Sequence, residues 1–374
     1  MSRTTEASAP RTPDLLYSET EDDLRAAVRG LLADRNDSSR VAVRAEEGDP
    51  YDTDLWKALA ADMGVAGLLV PEELGGQGAS HREVAVVLEE LGRAMAPAPY
   101  LTSAVVATEV LLGCDTGKAE VAELLGELAA GRRTAALVVG FGAGPDDVHL
   151  WPGLDGVLAG VADAATADVL LVPTAGGLYA VERNGAGVSV APQIPLDLTR
   201  PLAEVTLDSA PGTLLAGADT TRAAVRRGLL AGAGLLASEQ LGLAEWCLEE
   251  TVRYTKERHQ FNRPVGSFQA LKHRMAQLWL EVVSARAAAR NAADTLAAGS
   301  TEAPFAVALA QAYCGRVAVH AAEECVQLHG GIGMTWEHPA HLYLKRAKAD
   351  SIALGSSGAH REAVGRLVGL PVPD

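Results

Sequence analysis

The residues best suited to chemistry lie in the last third of the chain, and their types suit a diphosphate ligand. Arg258 ends a helical stretch, and the Gly330-Gly331 pair follows an apolar helix. A guanidinium is always charged, and adjacent glycines let backbone amides approach a ligand closely. Arg258 alone is equally well explained as a solvated arginine at a helix end. The Gly330-Gly331 pair is stronger evidence for a ligand site, because glycines contribute no side chains to a core.

Two other patterns that can mark binding sites fail on their spacing. Residues 140–142 resemble the start of a dinucleotide-binding turn, but Pro145 stands where a third glycine is required and no β-α-β unit surrounds them. A loop is predicted instead. His338 and His341 are separated by Pro339, which breaks the helical geometry that a metal-binding pair needs. We interpret these histidines as polar turn residues and expect no metal site.

The composition of the 374-residue chain argues against several classes of partner. Lysine and arginine total 32 against 48 aspartates and glutamates, a net charge of −16, which disfavours binding to a nucleic-acid backbone. The four cysteines show neither zinc-site spacing nor a disulfide framework. No apolar run approaches the roughly 20 residues that cross a bilayer. We therefore expect a soluble, cytoplasmic protein with no nucleic-acid partner and no membrane span.

The elements that must position the candidate residues change in character along the chain. Apolar residues recur at helical spacing in the first third, at 21–35, 55–63 and 82–94. Short β-branched or apolar runs between glycine and proline turns then predict strands, at 134–139, 169–172, 188–191 and 204–207. A small β-domain therefore follows an N-terminal helical domain.

The helical pattern returns at Arg222 and continues to the end. Between Leu271 and Leu296, apolar residues recur at alternating steps of four and three, which is typical of a bundle seam. Trp279 in this stretch is predicted to be a core or seam residue. The order of elements predicts an α+β fold with three parts, namely an N-terminal helical domain (1–127), a middle β-domain (128–215) and a C-terminal helical bundle (216–374).

Three segments, in a fixed order, resemble the acyl-CoA dehydrogenase family. They are Trp56–Gly78 (WKALAADMGVAGLLVPEELGGQG), Tyr254–Met275 (YTKERHQFNRPVGSFQALKHRM) and Cys325–Arg361 (CVQLHGGIGMTWEHPAHLYLKRAKADSIALGSSGAHR). Each is moderately specific alone, but together they extend the resemblance over nearly the whole chain. The resemblance implies a helical N-terminal domain, a middle β-domain and a C-terminal four-helix bundle. It also implies FAD-dependent α,β-desaturation of an acyl-CoA substrate, with an electron-transfer acceptor.

The resemblance also gives the diphosphate-binding residues a specific role. In the family, an Arg-x-x-Phe step and a Gln-x-x-Gly-Gly turn of one subunit reach the pyrophosphate and adenine end of an FAD that is held mainly by its neighbour. The matching residues here are Arg258, Phe261, Gln269, Gln327, Gly330 and Gly331. They are the candidate FAD-binding residues of this chain.

The chain departs from the family where the catalytic base should stand. That base is commonly a glutamate just before a Gly-Thr or Gly-Ser step, where it removes the α-proton while the β-hydride goes to the flavin. The matching Gly355-Ser356 step puts Leu354 in its place. Some members carry the base 22 residues before the tyrosine that matches Tyr254, which is Gly232 here. Neither residue can accept a proton, and losing a positioned base costs on the order of 10² to 10⁴ in rate.

The middle domain departs from the family as well. Residues 140–147 (GFGAGPDD) do not reproduce the Gly-Ser-Asp loop that holds the flavin ring, and residues 161–166 are too few for the second flavin-facing strand. The chain's own flavin pocket is therefore expected to be degraded. This pattern resembles the base-less subunits of actinobacterial heterotetramers that desaturate CoA thioesters of steroid side chains. It implies an α2β2 assembly in which a homologous partner carries the glutamate and shares the FAD.

Two other functions stay open. The first is a self-sufficient, homo-oligomeric dehydrogenase with Glu239 as a relocated base. Glu239 lies two helical turns beyond Gly232, at about 10 Å along the same face, and a polar contact within the bundle explains it more simply. The second is a non-catalytic scaffold, which would have no need of diphosphate-binding groups such as Arg258, Gln327 and the Gly330-Gly331 turn.

Overall fold

The N-terminal part of the chain is helical, and capping serines fix where two of its helices begin. The computed structural model describes residues 13–48 and 51–371. Its first helices are α1 (Glu19–Arg35), α2 (Ser38–Glu47), α3 (Thr53–Lys57), α4 (His81–Arg93), α5 (Thr108–Leu112) and α6 (Ala119–Ala129), with π-helical turns at Ala58–Asp62 and Tyr100–Ala107. Ser18 and Ser80 cap α1 and α4, each with a glutamate that reaches back to the serine N–H. The three predicted helical stretches are confirmed. Residues 1–12, 49–50 and 372–374 of the predicted domains lie outside the described residues.

The C-terminal part is built on three long helices, α7 (Ala218–Glu257), α8 (Gln269–Ala297) and α9 (Ala303–His329), followed by α10 (Ala340–Asp350) and α11 (Ser357–Leu367). The long helices pack against one another, α10 packs on α9 and α7 as a shorter fourth member, and α11 packs on α9. No helix of residues 13–48 and 51–371 is both long and apolar enough to cross a bilayer.

The predicted seam of α8 is confirmed by its burial in the middle of the helix, whereas Leu271, Met275 and Leu296 towards its ends are half-buried. Leu278, Val282 and Ala285 are buried, as are Ala289 and Ala292 one and two turns further on. The prediction that Trp279 is a core residue is wrong, because its side chain is 58% exposed. Neighbouring residues on a helix point about 100° apart, so the inward direction of Leu278 turns Trp279 towards the surface.

The middle part is a pair of small sheets formed by seven strands. They are β1 (Ala135–Leu137), β2 (Gly156–Ala162), β3 (Val169–Thr174), β4 (Gly177–Glu182), β5 (Val188–Gln193), β6 (Leu202–Leu207) and β7 (Thr213–Gly217). One sheet has the order β1-β3-β4-β7 and the other β2-β6-β5. β1 and β3 are parallel, and the other pairs are antiparallel. The four predicted strands are confirmed, while β2, β4 and β7 were not predicted.

The strand β3 is buried on both faces, which explains its unbroken apolar sequence. Val169 and Leu171 belong to the large core that continues into the helices, whereas Leu170 and Val172 belong to a second core between the two sheets. Because alternate residues of a strand point to opposite faces, β3 joins the β-domain to the helical parts.

Glycines set the close crossing of α4 and α7. A Cβ atom on Gly92 would lie 2.1 Å from the Glu239 carbonyl oxygen, and one on Gly242 would lie 1.8 Å from the Glu89 carbonyl oxygen. Only glycine permits such an approach of two backbones. The crossing holds Glu239 deep inside the protein, beside residues from the middle β-domain.

Candidate functional site

The six predicted FAD-binding residues lie at one end of the bundle. Arg258 follows the last residue of α7, Gln269 is the first residue of α8, and Gln327 lies in the last turn of α9. The start of α8 and the end of α9 are joined there by an ion pair between Arg274 and Glu324, 2.6 Å apart. All six residues are exposed, so the structure brings residues that are distant in sequence onto one surface.

Arg258 leads into a short hairpin, β8 (His259–Gln260) and β9 (Arg263–Pro264). Phe261 lies in its turn with a φ of 52° and an 85% exposed side chain. The nearby carboxylate of Glu257 pairs with Arg253. No carboxylate within residues 13–48 and 51–371 pairs with Arg258, so its charge is available to an anionic ligand.

The glycine turn after α9 is open. Gly330 has φ 63° and ψ −139°, a combination that only glycine adopts readily. A Cβ atom on Gly330 or Gly331 would meet nothing within 4 Å, so a ligand can approach the backbone of the turn. An open glycine turn, at the same end of the bundle as an arginine with no carboxylate partner among the described residues, fits the diphosphate part of a nucleotide such as FAD.

Leu354 lies at the position predicted for the base, in mostly aliphatic surroundings that also include Thr102 and Arg200. A Cβ atom on Gly232 would lie 3.1 Å from Leu354 Cδ1 and 2.6 Å from Val106 Cγ2, so the two positions at which the family carries its base face each other here. The cavity beside Leu354 measures about 40 Å³, which is room for about one water molecule. A three-ring flavin does not fit in this space.

The 140–147 loop closes the region around Leu354, and the prediction of a loop here is confirmed. The Leu354 N–H donates to the Phe141 carbonyl oxygen at 2.9 Å. Asp146 forms ion pairs with Arg226 of α7 and Arg366 of α11. The loop is therefore held directly against the helices, and the Asp146 carboxylate pairs with two arginines. This side of the structure does not fit a flavin ring.

Glu239 belongs to a buried network of charges. Its Oε1 atom accepts hydrogen bonds from Arg200 and Arg346, each at 2.5 Å, and Arg346 also pairs with Asp197. Burial alone would raise the pKa of Glu239, but the two arginines hold that pKa below its usual value. A carboxylate bound by two guanidinium groups is a poor proton acceptor, so the geometry favours the polar contact over the relocated base.

A second carboxyl group in this network, Asp350, behaves differently. It lies 3.4 Å from Arg200, but its side-chain oxygens have no hydrogen-bond partner. Burial, together with the charges of Glu239 and Asp197, raises the pKa of Asp350 to about 8. With Asp350 protonated, Glu239 and Asp197 balance the charges of Arg200 and Arg346.

This charge balance predicts the effect of Asp350→Asn. A carboxyl group with a raised folded-state pKa binds its proton more tightly in the folded chain, so it lowers stability as pH rises from its ordinary 3.8 towards about 8. The amide cannot ionise, so the variant should match the wild type near pH 4 and exceed it at pH 8 by about 1 kcal/mol or more. Urea unfolding at both pH values measures this. A loss of stability that is larger at pH 8 than near pH 4 would mean that Asp350 is ionised and needed as an anion.

Sequence models of known families match most of the chain. "Acyl-CoA dehydrogenase, N-terminal domain" matches residues 18–131, and "Acyl-CoA dehydrogenase, C-terminal domain" matches residues 222–369. The acyl-CoA dehydrogenase IpdE2 of Mycolicibacterium smegmatis is 37% identical over 351 residues, which cover 94% of this chain and 98% of that protein.

Solved structures agree with this match. A chain of the Tcur3481-Tcur3483 steroid ACAD superposes with a TM-score of 0.84 at 29% identity, covering 94% of this chain and 98% of that one. A chain of the ChsE4-ChsE5 complex from Mycobacterium tuberculosis also superposes with a TM-score of 0.84, at 26% identity, covering 96% of this chain and 100% of that one. The chain therefore belongs to the acyl-CoA dehydrogenase family of oxidoreductases.

Proposed function

We propose that this chain is a subunit of an FAD-dependent acyl-CoA dehydrogenase, that it lacks its own catalytic glutamate, and that it completes the FAD site of a homologous partner. The observation that carries the proposal is a contrast between two regions. The bundle end around Arg258 and Gly330 is open and fits a diphosphate, whereas the region around Leu354 is closed and mostly aliphatic.

In this assembly the residues of the chain bind and orient the cofactor. Arg258 neutralises the diphosphate, the Gly330-Gly331 turn offers backbone N–H groups, and Phe261 covers the nucleotide end. When bound, FAD supplies the acceptor for the substrate's β-hydride. The proton on the α-carbon is removed by the partner, because Leu354 and Gly232 offer no group that accepts it.

A partner subunit would also cover apolar side chains that the chain exposes at this end of the bundle and further along α8. These large, exposed side chains are Phe261, Trp279, Leu280, Ile332, Met334 and Trp336. Exposed apolar clusters of this kind mark protein interfaces. A heteromer of two homologous chains, arranged as α2β2, accounts for both this surface and the incomplete FAD site.

The similar proteins favour a steroid-derived acyl group on the CoA thioester. One similar solved structure is described as a steroid ACAD, and another is a complex of two differently named chains, ChsE4 and ChsE5. The competing functions have less support. Glu239 is engaged by two arginines, and a pure scaffold gives no reason for the unpaired charge of Arg258.

The test of this proposal is the flavin content of the purified protein. The chain alone should hold almost no FAD, because the 140–147 loop and Leu354 fill the space that the ring would need. Co-expression with a homologous subunit that carries the glutamate should give a complex with one FAD for each pair of chains. Flavin absorbance and protein concentration measure both ratios.

A purified chain that is yellow by itself, with one FAD per chain, would contradict the proposal and favour the self-sufficient enzyme. A co-purified complex without FAD would favour the scaffold. Candidate partners are dehydrogenase subunits encoded beside this chain, since subunits of one complex are often encoded together.

A further inference from the structure

A cluster of three potential metal ligands lies directly beneath the glycine turn. Glu250 lies on α7, His329 is the last residue of α9, and His338 lies just before α10. One carboxylate oxygen and two ring nitrogens, one from each residue, lie within 4.8 Å of one another. The Glu250 Oε1 atom is 3.7 Å from His329 Nε2 and 3.3 Å from His338 Nε2.

His329 is oriented as a metal-binding histidine is. Its Nδ1 atom lies 2.6 Å from the Cys325 carbonyl oxygen, and a carbonyl only accepts, so Nδ1 carries a proton. The opposite nitrogen, Nε2, is buried and has no hydrogen-bond partner, and the side chain is 0% exposed. Histidine ligands commonly donate their second N–H to a backbone carbonyl in this way, which directs the free nitrogen at the metal.

The free nitrogen of His329 faces the Glu250 carboxylate with no donor between them. The half-buried Glu250 carboxylate also accepts hydrogen bonds from Arg253, but the fully buried His329 nitrogen has no donor, which is unfavourable unless a positive group reaches it. A proton on His329 Nε2 is one such group. A divalent cation is the other, and it would also engage the third ligand, His338.

We propose that Glu250, His329 and His338 form a binding site for a divalent transition-metal ion of the zinc class. Two imidazoles and one carboxylate are ligands that Zn²⁺ and Co²⁺ accept in four-coordinate geometry, with one position left for water. The His338 Nδ1 atom accepts a weak hydrogen bond from the Ala340 N–H at 3.2 Å. Metal binding at its Nε2 atom moves the ring proton to Nδ1 and gives up this bond.

The ion would fix the segment that carries the candidate FAD-binding glycines. The turn Gly330–Met334 lies between two of the ligands, His329 and His338, while Glu250 belongs to a different helix. Coordination therefore ties the turn to α7. The site contacts neither the cavity beside Leu354 nor the loop 140–147, so its role is to hold the turn and not to take part in the reaction.

The test is a titration of the tag-free, full-length chain with Co²⁺ after treatment with a chelator. The wild type should bind one ion per chain and develop the visible absorption of four-coordinate Co²⁺. His329→Gln and His338→Gln should each weaken binding by roughly 100-fold or more, since even changes outside the ligand shell cost 10- to 100-fold. His341→Gln should bind as the wild type does, because His341 packs against Trp336 instead.

A substitution of Arg253 provides a second test, in which Co²⁺ binding should become tighter. It holds the Glu250 carboxylate through two hydrogen bonds, of 2.9 and 2.5 Å, from a side chain that is 55% exposed. Arg253→Gln should therefore tighten Co²⁺ binding, because a competitor for the carboxylate is removed. The proposal would be overturned if the wild type showed no saturable Co²⁺ binding. It would also be overturned if the His329→Gln variant, with a normal melting temperature, bound Co²⁺ as tightly as the wild type. A proton would then be the group that bridges His329 and Glu250.

Discussion

Glu239→Gln is expected to lower the free energy of unfolding by about 3 to 5 kcal/mol while leaving turnover of the complex within a few-fold. The amide leaves Arg200 and Arg346 facing a neutral group in the interior, and removing one partner of a buried ion pair has a cost of this size. No proton of the reaction passes through Glu239 if the partner carries the base. Urea unfolding measures the first effect, and acyl-CoA desaturation well below the melting temperature measures the second.

Two further variants make this result interpretable. Glu323→Gln removes a carboxylate from an exposed pair with Lys348 and should change stability by less than about 0.5 kcal/mol. Glu239→Asp keeps the charge and should lose less stability than the amide does. If Glu239→Gln instead reduced turnover by roughly 10² or more with unchanged stability, Glu239 would be the relocated base.

Arg258→Ala is expected to weaken FAD retention in the complex by about 1.5 to 3 kcal/mol, the range for a hydrogen bond to a charged group. The reason is that Arg258 offers a guanidinium without a carboxylate partner among the described residues, so its full charge is available to the diphosphate. Dialysis of the complex at a series of decreasing protein concentrations, followed by flavin absorbance, measures the change.

Arg132→Ala is the control for the loss of one positive charge. Arg132 is exposed and pairs with Glu127, next to the end of α6, and this variant should retain FAD as the wild type does. Equal FAD retention by Arg258→Ala and the wild type would show that Arg258 is only a surface residue. The proposed contribution of the bundle end to FAD binding would then rest on Gln327 and the glycine turn alone.

The helices were more predictable from the sequence than the strands. The α8 seam repeats at a regular period, so its inward residues could be identified without a structure. The strand β2 alternates poorly between buried and exposed residues and contains two glycines, and β7 runs directly into α7. Such segments lack the period-two signal on which strand prediction depends.

The candidate site was predictable where it is local and not where it depends on packing. The Arg-x-x-Phe step at Arg258 and the glycine turn at Gly330 could be recognised from short motifs. The partners of Glu239 are 39 and 107 residues away in the sequence, and Glu250 is 88 residues from His338. Nothing in the local pattern marks such pairs, because the crossing of helices brings them together.

If the base is missing, as proposed, the contact between Gly232 and Leu354 makes it hard to restore by single mutations. A Cβ atom at Gly232 would lie 2.6 Å from Val106 Cγ2 and 3.1 Å from Leu354 Cδ1, so a carboxylate there requires Val106, and to a smaller extent Leu354, to move. A carboxylate introduced at position 354 would be buried in a mostly aliphatic cavity, where desolvation raises its pKa, and Arg200, which also lines this cavity, is already paired with Glu239. Each route therefore requires a change beside the carboxylate itself, so under the proposed function a chain with this pair of residues stays dependent on its partner's base.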